Sequence, residues 1–222
     1  MQKLSPQAYK DLTRDSRLLA EDSHGEKVLQ RQDGLVIKLF RRKRLLSSAA
    51  LRPYALRFQR NSEGLRKRDV NTVQVSEVYR CPSIQRDIVT YQYVEGRMLR
   101  DAIKQANPQL VQRFAAFIAE LHRKGVYFRS MHLGNVLLLP DGRFALIDVA
   151  DMSLRPWSLG LWKRLRNFAH LLRYEDDTRL LLRYDFNAFL QSYLANSGMG
   201  MLRRSMFTIF LLRRHRYLME HL

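Results

Sequence analysis

The sequence predicts a two-lobed α+β fold, with an antiparallel sheet plus a helix in the amino-terminal part and a mainly helical carboxy-terminal part. Three observations carry that prediction. Short apolar runs broken by turn residues fill 18–95, helical periodicity dominates from 97 onward, and one hairpin pattern interrupts the helical part at 135–151. A chain of 222 residues suits one large domain or two small lobes, expected here as 1–95 and 96–222 with the boundary at Glu95-Gly96.

Each element has its own signal. Ser5 followed by Pro6 is an N-cap and first-turn pair, so a helix opens the chain. Turn residues at 23–25 and 32–34 divide 18–40 into three antiparallel strands, the last containing LVIKLF. From Arg41 to Val70 ten Lys or Arg stand against only Glu63 and Asp69, with Leu, Ala and Phe at helical spacing, which predicts a basic, solvent-facing helical stretch beginning at RRKR. VNTVQVSEVYR and SIQRDIVTYQYVEG are rich in β-branched and aromatic residues and extend the sheet to about five strands, ending near Gly96. MLRDAIKQA reads as a helix, and after a break at Asn107-Pro108 so does QLVQRFAAFIAELHRKG, with Leu110, Phe114, Phe117, Ile118 and Leu121 at helical intervals. Pro140-Asp141-Gly142 turns a hairpin within NVLLLPDGRFALIDVAD, and 157–222 reads as helical and basic.

Composition excludes several classes of function. With 46% hydrophobic and 27% charged residues the chain has the balance of a globular protein, not a disordered or collagenous one. Cys81 is alone, so no intrachain disulfide forms, and no Cys/His pattern offers a zinc cage; a reducing cytoplasm is expected. The opening MQKLSPQAYKDLTRD lacks a signal-peptide apolar region, and the longest clean apolar run, MFTIFLL at 206–212, is too short to span a bilayer, so an integral membrane protein is not expected. Against 21 acidic residues stand 39 Lys and Arg, a net charge of +18 that attracts polyanions: nucleic acid, anionic lipid or a phosphorylated substrate. No nucleic-acid-binding motif accompanies the aromatic residues, so nucleic acid is not the expected partner. The terminal MLRRSMFTIFLLRRHRYLMEHL mixes Met206, Phe207, Phe210 and Leu211 with Arg203, Arg204, Arg213, Arg214 and Arg216. Such a basic amphipathic helix either docks on the second lobe or lies on an anionic bilayer surface.

The residues with chemical potential lie in LHRKGVYFRSMHLGNVLLLPDGRFALIDVADM, 121–152. Phosphoryl transfer asks for charge neutralisation more than covalent work, and a metal doing it needs oxygen ligands on rigid backbone. Asn135 and Asp148, bracketing the hairpin, supply two such oxygens. A lysine must also meet the phosphates, and Lys38 on the apolar strand GLVIKLF fits, provided a carboxylate balances its charge. Glu63, the only acidic residue between Gly34 and Asp69, is the favoured partner. Taken singly, Lys38 reads as a surface lysine, Asn135 as a turn residue and Asp148 as a cap; their order and spacing together make a site.

Over about 18–170 the chain resembles the protein-kinase-like superfamily, and within it the bacterial lipopolysaccharide kinases, the Kdo and core-heptose kinases, including proteins of the toluene-tolerance type. The V-A-I-K strand of that superfamily is matched by Lys38, and its helix glutamate by Glu63, with Asn61 as the competing alignment. The hinge resembles TYQYVEGRML, which implies Tyr91 as gatekeeper and the backbone of Gln92 to Val94 facing an adenine. Gly25, in EDSHGEK, stands alone where a fuller kinase has a glycine-rich loop over the phosphates.

The catalytic loop H-G-D-L-H-x-G-N aligns with FRSMHLGN at 128–135, and the metal-binding D-F-G with Asp148-Val149-Ala150. His132, Gly134 and Asn135 match, but Phe128 replaces the leading histidine and Ser130 the catalytic aspartate. A serine hydroxyl is not basic at neutral pH and cannot take the acceptor's proton, help worth about 10²- to 10⁴-fold. His132 is either a substitute base or a structural hydrogen-bonding residue of the loop.

The resemblance implies a kinase-like fold using ATP and Mg2+, with Lys38, Glu63, Gly25, Tyr91, Gln92 and Val94 around the nucleotide. Asn135 and Asp148 would hold metal, and Ser130 and His132 would occupy the catalytic loop. It implies phosphorylation of a lipopolysaccharide core sugar or another anionic glycolipid at the cytoplasmic face of a Gram-negative inner membrane. The alternatives are a nucleotide-binding pseudokinase with a scaffolding or regulatory role, and a basic membrane- or nucleic-acid-binding protein on a decayed kinase scaffold.

Overall fold

A computed structural model describes residues 1–23, 25–41, 53–105 and 108–221. The chain is α+β and divides into two compact units. The first comprises the described parts of Met1–Lys67, with Thr72–Glu95 and Asp148–Asp151; the second comprises Arg68–Asn71, Gly96–Ile147 and Met152–Leu222. His24, residues 42–52 with all of RRKR but Arg41, and residues 106–107 with the break expected at Asn107-Pro108 lie outside the described residues.

The first unit is built on a mostly antiparallel sheet. Its strands are β1 (Gln2–Lys3), β2 (Arg17–Asp22), β3 (Gly25–Gln30), β4 (Leu35–Arg41), β5 (Val75–Cys81) and β6 (Arg86–Gln92), in the order β1-β5-β6-β4-β3-β2. The five expected antiparallel strands are present. The sixth, β1, pairs in parallel with β5 through Gln2 and Lys3, a segment too short to carry any alternation that a sequence reading could use. Helix α1 (Pro6–Thr13) starts at Ser5, whose Oγ accepts from Ala8 N at 3.1 Å.

Strand β4 is apolar apart from Lys38 and the terminal Arg41 because both its faces are covered. Ile37 and Leu39 point to the side where Leu29, Cys81 and Ile88 form a cluster packed against Leu4, Tyr9 and Leu12. Val36, Lys38 and Phe40 alternate onto the other side, where helix α2 (Tyr54–Arg66) lays Phe58 against Phe40 and Tyr91. The basic stretch is therefore not simply solvent-facing. Ala55, Phe58, Asn61, Ser62 and Leu65 make a buried stripe on α2, and its arginines take the outer positions.

The second unit begins with β7 (Arg97–Met98) and helices α3 (Leu99–Lys104) and α4 (Pro108–Arg123). Strand β8 (Val126–Phe128) leads into the loop holding Ser130, and β9 (Val136–Leu138) pairs with β10 (Phe144–Leu146) as the expected hairpin, with β7 on the far side of β9. Strand β11 (Met152–Leu154) pairs with β8, an antiparallel pair between three-residue segments that the sequence did not reveal. Helices α5 (Leu161–Leu171), α6 (Glu175–Arg183), α7 (Phe186–Asn196) and α8 (Met201–Arg214) complete the unit. Its core is aromatic: Phe168 lies 4.6 Å from Tyr193 and 5.1 Å from Phe207 between ring centroids. Gly125, just past α4, has φ +73 and approaches Arg155 O so closely that a Cβ would stand 2.3 Å from it, so only glycine fits. No helix among the described residues is long and apolar enough to cross a membrane.

Candidate functional site

In the first unit the chemistry gathers around Lys38. The period of β4 turns its side chain toward α2, where it is 5% exposed. Its Nζ pairs with Asp148 Oδ1 at 3.0 Å and lies 5.7 Å from the ring centres of both Phe40 and Phe58. Burial lowers the lysine pKa, and the Asp148 charge and hydrogen bond only partly restore it. The lysine thus carries a charge that the fold pays to keep dry. Tyr91, stacked on Phe58 at 5.8 Å, is buried beside this pair; burial first, then the Asp148 charge, raises its hydroxyl pKa.

Glu63 does not balance that lysine. On α2 the buried stripe runs through Phe58, Asn61, Ser62 and Leu65, which leaves Glu63 on the exposed side. Asn61, the competing alignment, turns its amide to the segment after Asp148. Its Nδ2 donates to Val149 O at 2.7 Å and to Ala150 O at 3.3 Å. With Arg57 bonded to Asp151 at 3.2 Å, α2 grips the segment that follows Asp148. Asp148 itself adopts φ 55, a left-handed conformation that aspartate tolerates better than most residues.

The remaining first-unit expectations are placed as follows. Gly25, with φ +96, closes the β2–β3 hairpin opposite Asp22 with open space around it. Gln92 ends β6, paired with Leu35 and exposed, and Val94 is half-buried. Between them Tyr93 N donates to Gly34 O at 2.9 Å, so that amide is already used within the sheet.

In the second unit the loop after β8 is held from several directions. Asn135 Nδ2 donates to Ser130 O at 2.9 Å, and Asn135 O accepts from Ile147 N at 3.0 Å, tying the loop to the residue before Asp148. His132 Nδ1 accepts from Gly134 N at 3.1 Å, and its ring lies 4.7 Å from Tyr174. With Nδ1 serving as acceptor, the His132 ring is tied into the structure of its own loop.

Sequence reasoning missed the groups that hold this loop. Asp177, 0% exposed, accepts from Leu133 N at 2.7 Å and from Arg100 Nε at 2.6 Å. Its hydrogen bond raises the Arg100 pKa. Asn167 donates to Phe128 O at 2.6 Å and accepts from His122 Nε2 at 3.0 Å; the other ring nitrogen of His122 accepts from Tyr193 OH at 2.9 Å. Burial lowers the His122 pKa to about 3, with Arg164 adding to the effect, so the ring is neutral. A signal did exist: Arg164 and Asn167 interrupt the buried stripe of α5 with Leu165, Phe168 and Leu171, and Asp177 precedes Leu181 by one helical turn. Polar residues on an apolar stripe announce a buried network.

The oxygen donors of each unit are of the hard type: Asp148 carries a carboxylate in the first unit and Asn135 an amide oxygen in the second. Among the described residues no group of three or more His, Cys, Asp or Glu could form a full protein cage. Oxygen donors of this kind suit Mg2+ better than zinc.

No protein-family model matches the sequence, and no curated protein matches it. Among solved structures, the bifunctional kinase-methyltransferase WbdD matches with a TM-score of 0.47 at 13% identity, over 83% of this chain and 47% of that one. The chain spans about half the length of that protein.

Proposed function

We propose that this chain is a kinase-like protein that binds Mg-ATP and transfers its terminal phosphoryl group to a sugar hydroxyl of a lipopolysaccharide core or related envelope glycolipid. The observation that carries the reading is the Lys38–Asp148 pair at 3.0 Å, a buried cation on a central strand matched to a carboxylate from a segment far along the chain. Burying that charge is costly, and polyphosphate with its metal gives both members a partner: Lys38 the phosphate oxygens, Asp148 the metal. The resemblance of the catalytic loop would make Asn135 a further oxygen ligand. In the transfer, the bond from phosphorus to the ADP oxygen breaks, a bond to the sugar oxygen forms, and the hydroxyl proton passes to solvent water, since Ser130 is no base. Tyr91, Gln92 and Val94 would border the base. The net charge of +18 favours an anionic acceptor.

Ser130 favours a second reading, nucleotide binding without turnover, because the proton has no acceptor at that position. Thermal unfolding with and without Mg-ATP tests the common ground. At nucleotide a hundredfold above Kd, binding to the native state adds about 2.7 kcal/mol, a rise of roughly 5–10 °C for a chain of this size. The rise should vanish in Lys38→Met and Asp148→Asn. No rise in the parent protein would reject both readings and leave the basic surface as the functional feature. ADP release on candidate glycolipids then separates them: Ser130→Asp should raise a transferase's turnover by about 10²- to 10⁴-fold and leave a pseudokinase silent.

A further inference from the structure

Helix α8 has two apolar faces, and the second unit uses one. Phe207 and Leu211 are buried, with Phe207 5.1 Å from both Phe168 and Tyr193. The terminal helix therefore docks on its own unit. Leu202, Met206, Ile209 and Arg213, spaced i, i+4, i+7 and i+11, fall on the opposite stripe, where Leu202 is 75% and Ile209 48% exposed. At the edge of that stripe Trp162 of α5, 67% exposed, lies 5.1 Å from Phe210. Between α5 and α8 runs a groove of about 670 Å³, lined by Trp162 and Phe210 together with Arg166, Arg213 and Arg214.

The charge around this surface has one sign. Neither α5 nor α8 contains an Asp or Glu. Among the described residues, no ion pair engages Arg166, Arg203, Arg213 or Arg214. Guanidinium groups beside exposed Leu, Met, Ile and Trp ask for a partner with phosphate and hydrocarbon at once. Nucleic acid would leave the aliphatic stripe wet, and a second copy of this chain would set arginine against arginine.

We propose that the α5–α8 face docks on an anionic phospholipid bilayer. Leu202, Met206 and Ile209 enter the boundary between headgroups and acyl chains, Trp162 sits at headgroup level, and Arg166, Arg213 and Arg214 meet the lipid phosphates. This is peripheral attachment through a folded surface, independent of whether the chain binds nucleotide.

Both tryptophans of the chain, Trp157 and Trp162, are exposed, so their emission reports this region directly. The full chain is titrated with vesicles of phosphatidylcholine alone and of phosphatidylcholine containing phosphatidylglycerol, following emission and co-sedimentation. Binding with a blue shift is expected only on the anionic vesicles, weakening as salt rises. One basic side chain near such a surface contributes about fivefold, so the triple variant R166A/R213A/R214A should bind roughly 10²-fold more weakly. L202E/I209E should lose the blue shift, while circular dichroism shows it folded, since both side chains stand in solvent. The proposal is overturned by absent binding to anionic vesicles, by equal binding to neutral ones, or by parent-like affinity in the triple variant. A concentration-dependent dimer abolished by L202E/I209E would overturn it too, assigning the face to a second copy.

Discussion

Asp148→Asn and Lys38→Met should move stability in opposite directions, although each removes one half of the same ion pair. The asymmetry lies in burial: the lysine side chain is 6% exposed and the aspartate 32%. Asparagine keeps the shape of Asp148 and tolerates its left-handed backbone, so the change isolates the charge. It strands the ammonium among Phe40, Phe58 and Tyr91. Loss of one partner from a fully buried pair costs 3–5 kcal/mol; with Asp148 a third open to water, about 2 kcal/mol is the expected loss. Lys38→Met instead removes the desolvated cation and fills its space with a flexible apolar side chain, while the Asp148 carboxylate rehydrates. Burial is the first cause of the lowered Lys38 pKa, and the Asp148 charge and hydrogen bond oppose it only in part. Lys38→Met should therefore be at least as stable as the parent, by 0 to about 2 kcal/mol. Urea unfolding at neutral pH, with unchanged denaturant dependence as the check on comparability, reads both numbers. An Asp148→Asn protein as stable as the parent, or a Lys38→Met protein weakened by more than about 2 kcal/mol, would refute the argument that Lys38 is a buried charge waiting for an anion.

Two further outcomes follow from the supporting networks. His122 is neutral in the folded chain with a pKa of about 3 and returns to about 6.5 when unfolded, so the unfolded state binds the extra proton between those values. Its contribution is complete above the unfolded pKa and falls as pH drops, by about 1.4 kcal/mol between pH 7.5 and 5.5; urea unfolding at the two pH values should show this slope, flattened in His122→Gln. Asn61→Ala leaves the carbonyls of Val149 and Ala150 without this donor and should cost about 1–3 kcal/mol, whereas Glu63→Ala should stay within about 0.5 kcal/mol. Equal losses in chemical denaturation would contradict the assignment of Asn61 to the buried face of α2.

The sequence by itself determined the α+β class, the five antiparallel strands and the 135–151 hairpin, because alternation, turn chemistry and helical periodicity are local properties of the chain. It also singled out Lys38, Asn135 and Asp148 and set Ser130 where the resemblance expects an acidic base, since those are matters of residue type and order. Only the tertiary structure decided what each of them touches. Scarcity of acidic residues pointed to Glu63 as the partner of Lys38, yet the rotation of α2 sends Glu63 to solvent, gives Asn61 to the Val149 and Ala150 carbonyls and leaves Lys38 to Asp148. The same holds for Asp177 and Asn167, whose bonds to Leu133 and Phe128 span 44 and 39 residues of chain. It holds again for α8, whose composition allowed either docking or a bilayer, and whose packing through Phe207 and Leu211 leaves a separate stripe for a partner. Side-chain partners at long range are chosen by which faces meet once the elements pack. Periodicity tells that a face exists, and packing tells what lies against it.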